Sequence, residues 1–201
     1  AVNYMNVTAS DTNNNPVTYN VESTITLNDP ERPGYKFLGW FNGENEVEVP
    51  FTASGIPAGT DETVELTAKF AEVHYVFFVD NQGRIFQTRE GITGETIQAD
   101  AQFPGTADEA ITGWYTESAL TNKVTAVTLA ESDIYLYAKV EKGHWVNYAV
   151  DGGSYIAPAF YLPSENTVKP ADPTKVGYTF GGWYKDDALT QAFTFGGKLT
   201  A

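Results

Sequence analysis

The chain lacks cysteine altogether, has 2 histidines and 1 methionine, and sets only 12 Lys+Arg against 26 Asp+Glu in 201 residues. Without cysteine there are no disulfides, thiolate metal sites or cysteine nucleophiles, and stability outside a cell rests on core packing alone. The formal charge of −14 argues against nucleic acid and anionic membrane as partners, because both select basic faces. Long hydrophobic runs are missing too. None approaches the roughly 20 residues of a membrane span, so no membrane insertion by this segment is expected. The sequence opens at Ala1 with neither Met nor a signal peptide, as a mature excerpt of a larger polypeptide would.

What is present is repetition. Gly39-Trp40-Phe41, Gly113-Trp114-Tyr115 and Gly182-Trp183-Tyr184 place their tryptophans 74 and 69 residues apart. Pro30, Pro104 and Pro173 each lie ten positions before the Trp, and Phe37, Ile111 and Phe180 three before it. A second signature, Leu66-Thr67-Ala68-Lys69-Phe70, returns 70 residues later as Leu136-Tyr137-Ala138-Lys139-Val140. Two anchors report one period, which divides the chain into modules 1–70, 71–140 and 141–201. Each is near the small end of what folds alone.

Strand signals dominate within each module. Val64, Leu66, Ala68 and Phe70 alternate with Glu65, Thr67 and Lys69, the mark of a half-buried closing strand, and Ile134, Leu136, Ala138 and Val140 repeat it. In the third module that strand would begin between 205 and 209, past Ala201, so the module is expected to be truncated before it. Opening strands are expected at Val2 to Met5, Val73 to Val79 and Trp145 to Val150, the last two followed by the turns Asp80-Asn81-Gln82-Gly83 and Asp151-Gly152-Gly153-Ser154. In Tyr35-x-Phe37-x-Gly39-Trp40-Phe41 strict alternation sends Trp40 to the opposite face from Tyr35, Phe37 and Phe41. Either Gly39 forms a bulge that re-aims the indole, or another element covers the second face. Helical signal is limited to Thr116 to Asn122 and Lys185 to Gln191, about two turns each. The fold class is mainly β, extending to α+β.

The run Asp172-Pro173-Thr174-Lys175-Val176-Gly177-Tyr178-Thr179-Phe180-Gly181-Gly182-Trp183-Tyr184-Lys185-Asp186-Asp187-Ala188-Leu189-Thr190, preceded by Lys169-Pro170, closely resembles the Listeria-Bacteroides repeat, the B-repeat type of module named for internalin B. Asn15 to Tyr19, Thr24 to Leu27 and Pro33 to Trp40 look like a variant of it. The middle module diverges most, with Asp108 and Glu109 where the others carry Gly-Tyr. The resemblance implies three tandem β-grasp-like modules in an elongated array, as found in secreted and wall-attached bacterial proteins. It implies no enzymatic activity and no catalytic residues to carry over.

Several groups invite a chemical reading. Asp11-Thr12-Asn13-Asn14-Asn15 with Glu22 spaces oxygens like an EF-hand loop, but Pro16 stands where that loop needs glycine, so a polar inter-strand loop is expected. His74 and His144 open matching strands, and with no cysteine and no second histidine per module they read as junction packing rather than metal ligands. Asp186-Asp187 and Asp61-Glu62 are adjacent carboxylates that point apart, as in a solvated turn or a helix start. Glu44, Glu46 and Glu48 alternate with Asn45, Val47 and Val49 as an exposed strand face that discourages edge pairing. Tyr135, Tyr137, Tyr155 and Tyr161 as outward rings would suit a sugar-binding surface.

The resulting expectation is a non-catalytic spacer or stalk with adhesive interactions, on a bacterial cell surface, in its cell wall or secreted. The alternative is a binding array for glycan or host protein that uses exposed aromatics. No catalytic, cofactor or metal residue is assigned; the ligand is unknown, and a monomer is expected.

Overall fold

The structure is a computed structural model that describes residues 1–19, 24–48, 51–52, 63–102 and 107–200. In chain order the strands are β1 (Val2–Met5), β2 (Thr24–Ile25), β3 (Tyr35–Asn42), β4 (Asn45–Glu46), β5 (Phe51–Thr52), β6 (Val64–Val79) and β7 (Ile85–Ile92). They continue with β8 (Thr96–Gln98), β9 (Glu109–Tyr115), β10 (Lys123–Val124), β11 (Ala126–Thr128), β12 (Ile134–Lys142), β13 (His144–Val146) and β14 (Ala159–Tyr161). The protein is mainly β, and no helix forms among the described residues. The α component expected at Thr116 to Asn122 and Lys185 to Gln191 is therefore corrected to turns. Seven residues cannot offset helix nucleation when an acidic side chain already satisfies their amides.

Contacts divide the chain into two compact units. One holds Ala1–Val76, Thr88–Ile97 and Val127–Ile134; the other holds Phe77–Gln87, Gln98–Ala126 and Tyr135–Ala201. The strand predicted over Val73 to Val79 and the closing strand before it are one uninterrupted element, β6. Its alternation is as expected: Val64, Leu66 and Ala68 are buried while Glu65 and Lys69 face solvent.

In the first unit, β6 has β1 on one side in parallel, with Val2 opposite Val64 and Tyr4 opposite Leu66. On its other side β3 runs antiparallel, with Tyr35 opposite Glu72 and Trp40 opposite Ala68. The core gathers Val2, Ile25, Leu27, Trp40, Val64, Leu66 and Ala68, with Tyr4, Phe37 and Phe70 packed against it. Pairing on β3 slips between Phe37 and Gly39, so Leu38 is the extra residue. The slip returns Trp40 to the face of Phe37, and their rings meet at 5.5 Å. Of the two routes to burying the indole, the bulge is the one used.

Gly39 has φ +142°, where a side chain is strained. Gly39→Ala is expected to lower stability by about 1–3 kcal/mol, read as a lower denaturant midpoint. A loss below about 0.5 kcal/mol would show that the bulge tolerates an ordinary residue.

In the second unit β9 lies between β10 and β12, with Trp114 opposite Val124 and Ala138. The register again shifts, between Lys139 and Val140, so Thr112 takes the place of Leu38. Asp80 closes the β6–β7 turn: its Oδ1 accepts the amides of Gln82 and Arg84, and Gly83 N donates to Asp80 O. Val150 O accepts from Gly153 N in the second predicted turn. The strand expected over Trp145 to Val150 stops earlier: β13 pairs with β14 only through Val146.

Candidate functional site

Each repeat is built around its tryptophan. Trp40 is covered by Tyr4 at 5.1 Å and Phe37 at 5.5 Å, and its Nε1 donates to Asn28 O at 3.3 Å. Trp114 is covered by Phe78 at 4.9 Å, edge to face, and by Phe86 at 5.9 Å, stacked. Both indoles are buried. Trp183 touches Tyr148 at 5.1 Å and Phe180 at 5.2 Å but is only half-buried, although its Nε1 is shielded from solvent. These rings are core, with quadrupolar edge-to-face contacts typical of packed aromatics.

The EF-hand-like run is tied to Arg32 and Asn28. Asp11 accepts from Nε and one terminal nitrogen of Arg32, at 3.0 and 2.7 Å, and from Thr8 N. The Asp11 side chain is almost fully enclosed. Arg32 stacks over Phe70, 3.9 Å from the ring centre. Asn15 is buried and clasps Asn28, taking its N–H and donating to its carbonyl, while Asn13 accepts from Asn15. The loop is a polar clasp between the start of the chain and the segment leading to β3. Glu22, the would-be twelfth ligand, lies outside the described residues.

The Arg32 hydrogen bond, aided by Thr8 N–H, holds the Asp11 carboxyl at about 2, below its ordinary 3.8. An open cleft of about 410 Å³ beside it is bordered by Thr12, Asp29, Glu31, Arg32 and Tyr35. With Arg32 already matched by Asp11, that cleft presents the carboxylates of Asp29 and Glu31 beside the rings of Tyr35 and Phe37.

A repeated acidic loop follows the second and third tryptophans. Tyr115-Thr116-Glu117-Ser118-Ala119-Leu120-Thr121 matches Tyr184-Lys185-Asp186-Asp187-Ala188-Leu189-Thr190. Glu117 accepts from the amides of Thr121 and Asn122, and Asp186 from those of Thr190 and Gln191. Leu120 and Leu189 both sit at φ +55°, a left-handed conformation that leucine seldom adopts and that the carboxylate bonds enforce. The matched Ala-Leu-Thr was a signal available in the sequence for this shared turn.

Hydrogen bonds from Thr116, then Thr121 and Asn122, hold Glu117 at about 2 against its ordinary 4.5. Because the folded value lies below the unfolded one, this stabilisation is complete above about 4.5 and disappears as pH falls toward 2. Amide protection in the 116–122 loop is expected to follow that window, and Glu117→Gln to remove the dependence. Hydrogen exchange at stepped pH measures it; a titration centred at 4.5 in the intact protein would show that the carboxylate bonds do not form.

His74 is buried within β6, and His144 is half-buried opposite Tyr161. Among the described residues no three His, Cys, Asp or Glu side chains converge as a metal site would require. Glu44, Glu46 and Glu48 are exposed around a half-buried Val47. Asp61, Glu62 and Val49 lie outside the described residues. Of the four tyrosines taken as outward, Tyr135 and Tyr155 are exposed and Tyr137 is half-buried. Tyr161 is buried, a correction: its hydroxyl turns inward to Val168, donating to that carbonyl and accepting from its N–H. Tyr135 meets Phe77 at an interplanar angle of 33°, and the exposed Trp145 meets Phe160 at 58°, so neither pair is coplanar.

The Listeria-Bacteroides repeat domain matches this chain three times, over residues 1–69, 74–139 and 144–201. The chain belongs to that family. It is a family of repeat modules typical of extracellular bacterial proteins and is not a known enzyme family. Two similar proteins come from Evansella cellulosilytica. One, named "Putative membrane protein", is 31% identical over 170 residues, 83% of this chain and 25% of its own length. The other, named "Putative Gly-rich membrane protein", is 28% identical over 178 residues, again 83% of this chain and 19% of its own. The chain thus spans a quarter or less of these relatives. No solved structure matches, and no helix among the described residues is long and apolar enough to cross a membrane.

Proposed function

We propose that this chain is a non-catalytic stalk of a bacterial cell-surface or secreted protein: three β-grasp-like modules at 1–70, 71–140 and 141–201, monomeric, extended, and carrying weak adhesive contacts with host or cell-surface protein or glycan. The observation that carries this reading is the end-to-end tiling of three repeats, with only residues 70–73 and 140–143 between the matches. Such short joints restrict bending, and β6 runs through the first of them as unbroken strand. The mixed pairing of β1 and β3 on β6 supports the β-grasp-like form. A charge of −14 adds repulsion between modules, screened beyond about 8 Å at physiological salt.

Small-angle scattering tests the proposal. Three compact units of ~70 residues in line give a radius of gyration of about 25 Å, whereas a single globule of this length gives about 16–17 Å. A value below about 19 Å would remove the physical basis of the stalk. The second reading, a glycan- or host-protein-binding array, draws on the exposed rings of Tyr135, Tyr155 and Tyr178. An exposed row of the three anchor tryptophans would have favoured it, and the burial of Trp40 and Trp114 takes that support away.

A further inference from the structure

Asn42-Gly43 is the only Asn-Gly pair in the chain. It opens the turn of the β3–β4 hairpin: Asn42 pairs with Asn45, and Gly43 stands at φ +61°. Both residues are exposed. Among the described residues no hydrogen bond holds the Asn42 side-chain amide or the Gly43 N–H, and a Cβ on Gly43 would meet nothing within 4 Å. The side-chain carbon of Asn42 and the nitrogen that follows it are therefore both open.

Other asparagines lack this combination. Asn15 precedes Pro16, which has no N–H to react, and its amide is held by Asn13 and Asn28. Asn6 donates to Ala68 O, and Asn122 to Glu117. Asn45 and Asn81 are exposed, but Glu46 and Gln82 follow them, and a side chain on the next residue hinders approach to its nitrogen. Glycine has no Cβ to obstruct the approach, and its backbone turns freely into the reactive geometry.

We propose that Asn42 is a site of spontaneous covalent modification, at which the side-chain amide becomes a carboxylate through attack by Gly43 N. The nitrogen bonds to Asn42 Cγ, the Cγ–Nδ2 bond breaks, and ammonia leaves with the proton of the Gly43 N–H. Water then opens the five-membered imide. Opening at Cγ gives aspartate; opening at the Asn42 main-chain carbonyl gives isoaspartate, in which the chain runs through the side chain. Either product is ionised at neutral pH, beside the exposed Glu44 and Glu46. Since β4 pairs with β3 alone among the described strands, the added charge strengthens the acidic guard on that edge. Isoaspartate does more. Its extra main-chain atom displaces Asn45 from its place opposite Asn42 and draws Val47 N–H away from Trp40 O, now 2.8 Å apart. The proposal does not depend on the stalk reading.

The test ages the full 201-residue chain at mildly alkaline pH and follows each asparagine by peptide mapping and mass spectrometry. Asn42 should convert at least about tenfold faster than any other asparagine, to both products, at a rate that rises with pH because the deprotonated nitrogen is the nucleophile. Gly43→Ala should slow the conversion by at least about tenfold. The parent chain unfolded in urea is a reference that needs no variant, and the folded rate should lie within about tenfold of it. Conversion spread evenly over the asparagines, a folded rate further below the unfolded one, or an unchanged rate in Gly43→Ala overturns the proposal. In isoaspartyl copies amide exchange at Asn45 to Val47 should be at least about tenfold faster than in Asn42→Asp, which adds the charge alone; equal exchange overturns the loosening of β4.

Discussion

Trp40→Ala is expected to abolish the folded core of the first unit under conditions where the parent chain is fully folded. Trp40 is among the largest fully enclosed side chains, and its removal leaves Tyr4, Phe37, Ile25 and Leu27 around a void. Truncations of this kind cost about 3–5 kcal/mol, against a total of about 5–15 kcal/mol for an ordinary domain. The same change at Trp183, which is half-buried, should cost less than half as much, because water already reaches part of the indole. Denaturant unfolding of the two variants, followed by hydrogen exchange across β3 and β6, measures the contrast. Equal losses at both sites would mean that Trp183 is as well packed as Trp40.

Asn15→Ala is expected to cost about 2–4 kcal/mol, although it deletes only a small polar group. Its buried side chain exchanges two hydrogen bonds with the backbone of Asn28, at 2.6 and 2.8 Å. Alanine would strand the Asn28 N–H and weaken the carbonyl that also receives the Trp40 indole; each buried group left unpaired costs about 1–3 kcal/mol. Asn15→Asp keeps the acceptor for Asn28 N–H but loses the donor, so it should fall between the parent and alanine at neutral pH. Calorimetric melting of the three proteins gives the order directly. An alanine variant within about 0.5 kcal/mol of the parent would show that water replaces the clasp.

Much of the candidate site could be read from the residues. The Leu-x-Ala-Lys alternation identified the strands that carry Ala68 and Ala138, because one face of each must be apolar to meet a core. Asp80 to Gly83 announced its turn through side chains able to bind their own backbone. The clasp of Asn15 on Asn28 could not be read in this way. It joins residues 13 apart in sequence through a conformation no local pattern encodes; Asp11 to Asn15 announced a polar loop but not its partner. The loops at Glu117 and Asp186 looked helical because Ala and Leu favour helices, and the carboxylate that closes each loop overrides that preference.

The sequence by itself determined the repeat, the family, the β class and the net acidity, since each follows from composition or spacing without reference to a partner in space. The tertiary structure alone decided how Trp40 enters the core. Period-two alternation places it outside, and only the slip of β3 against β6 at Leu38 turns it inward, because register is a property of two strands together.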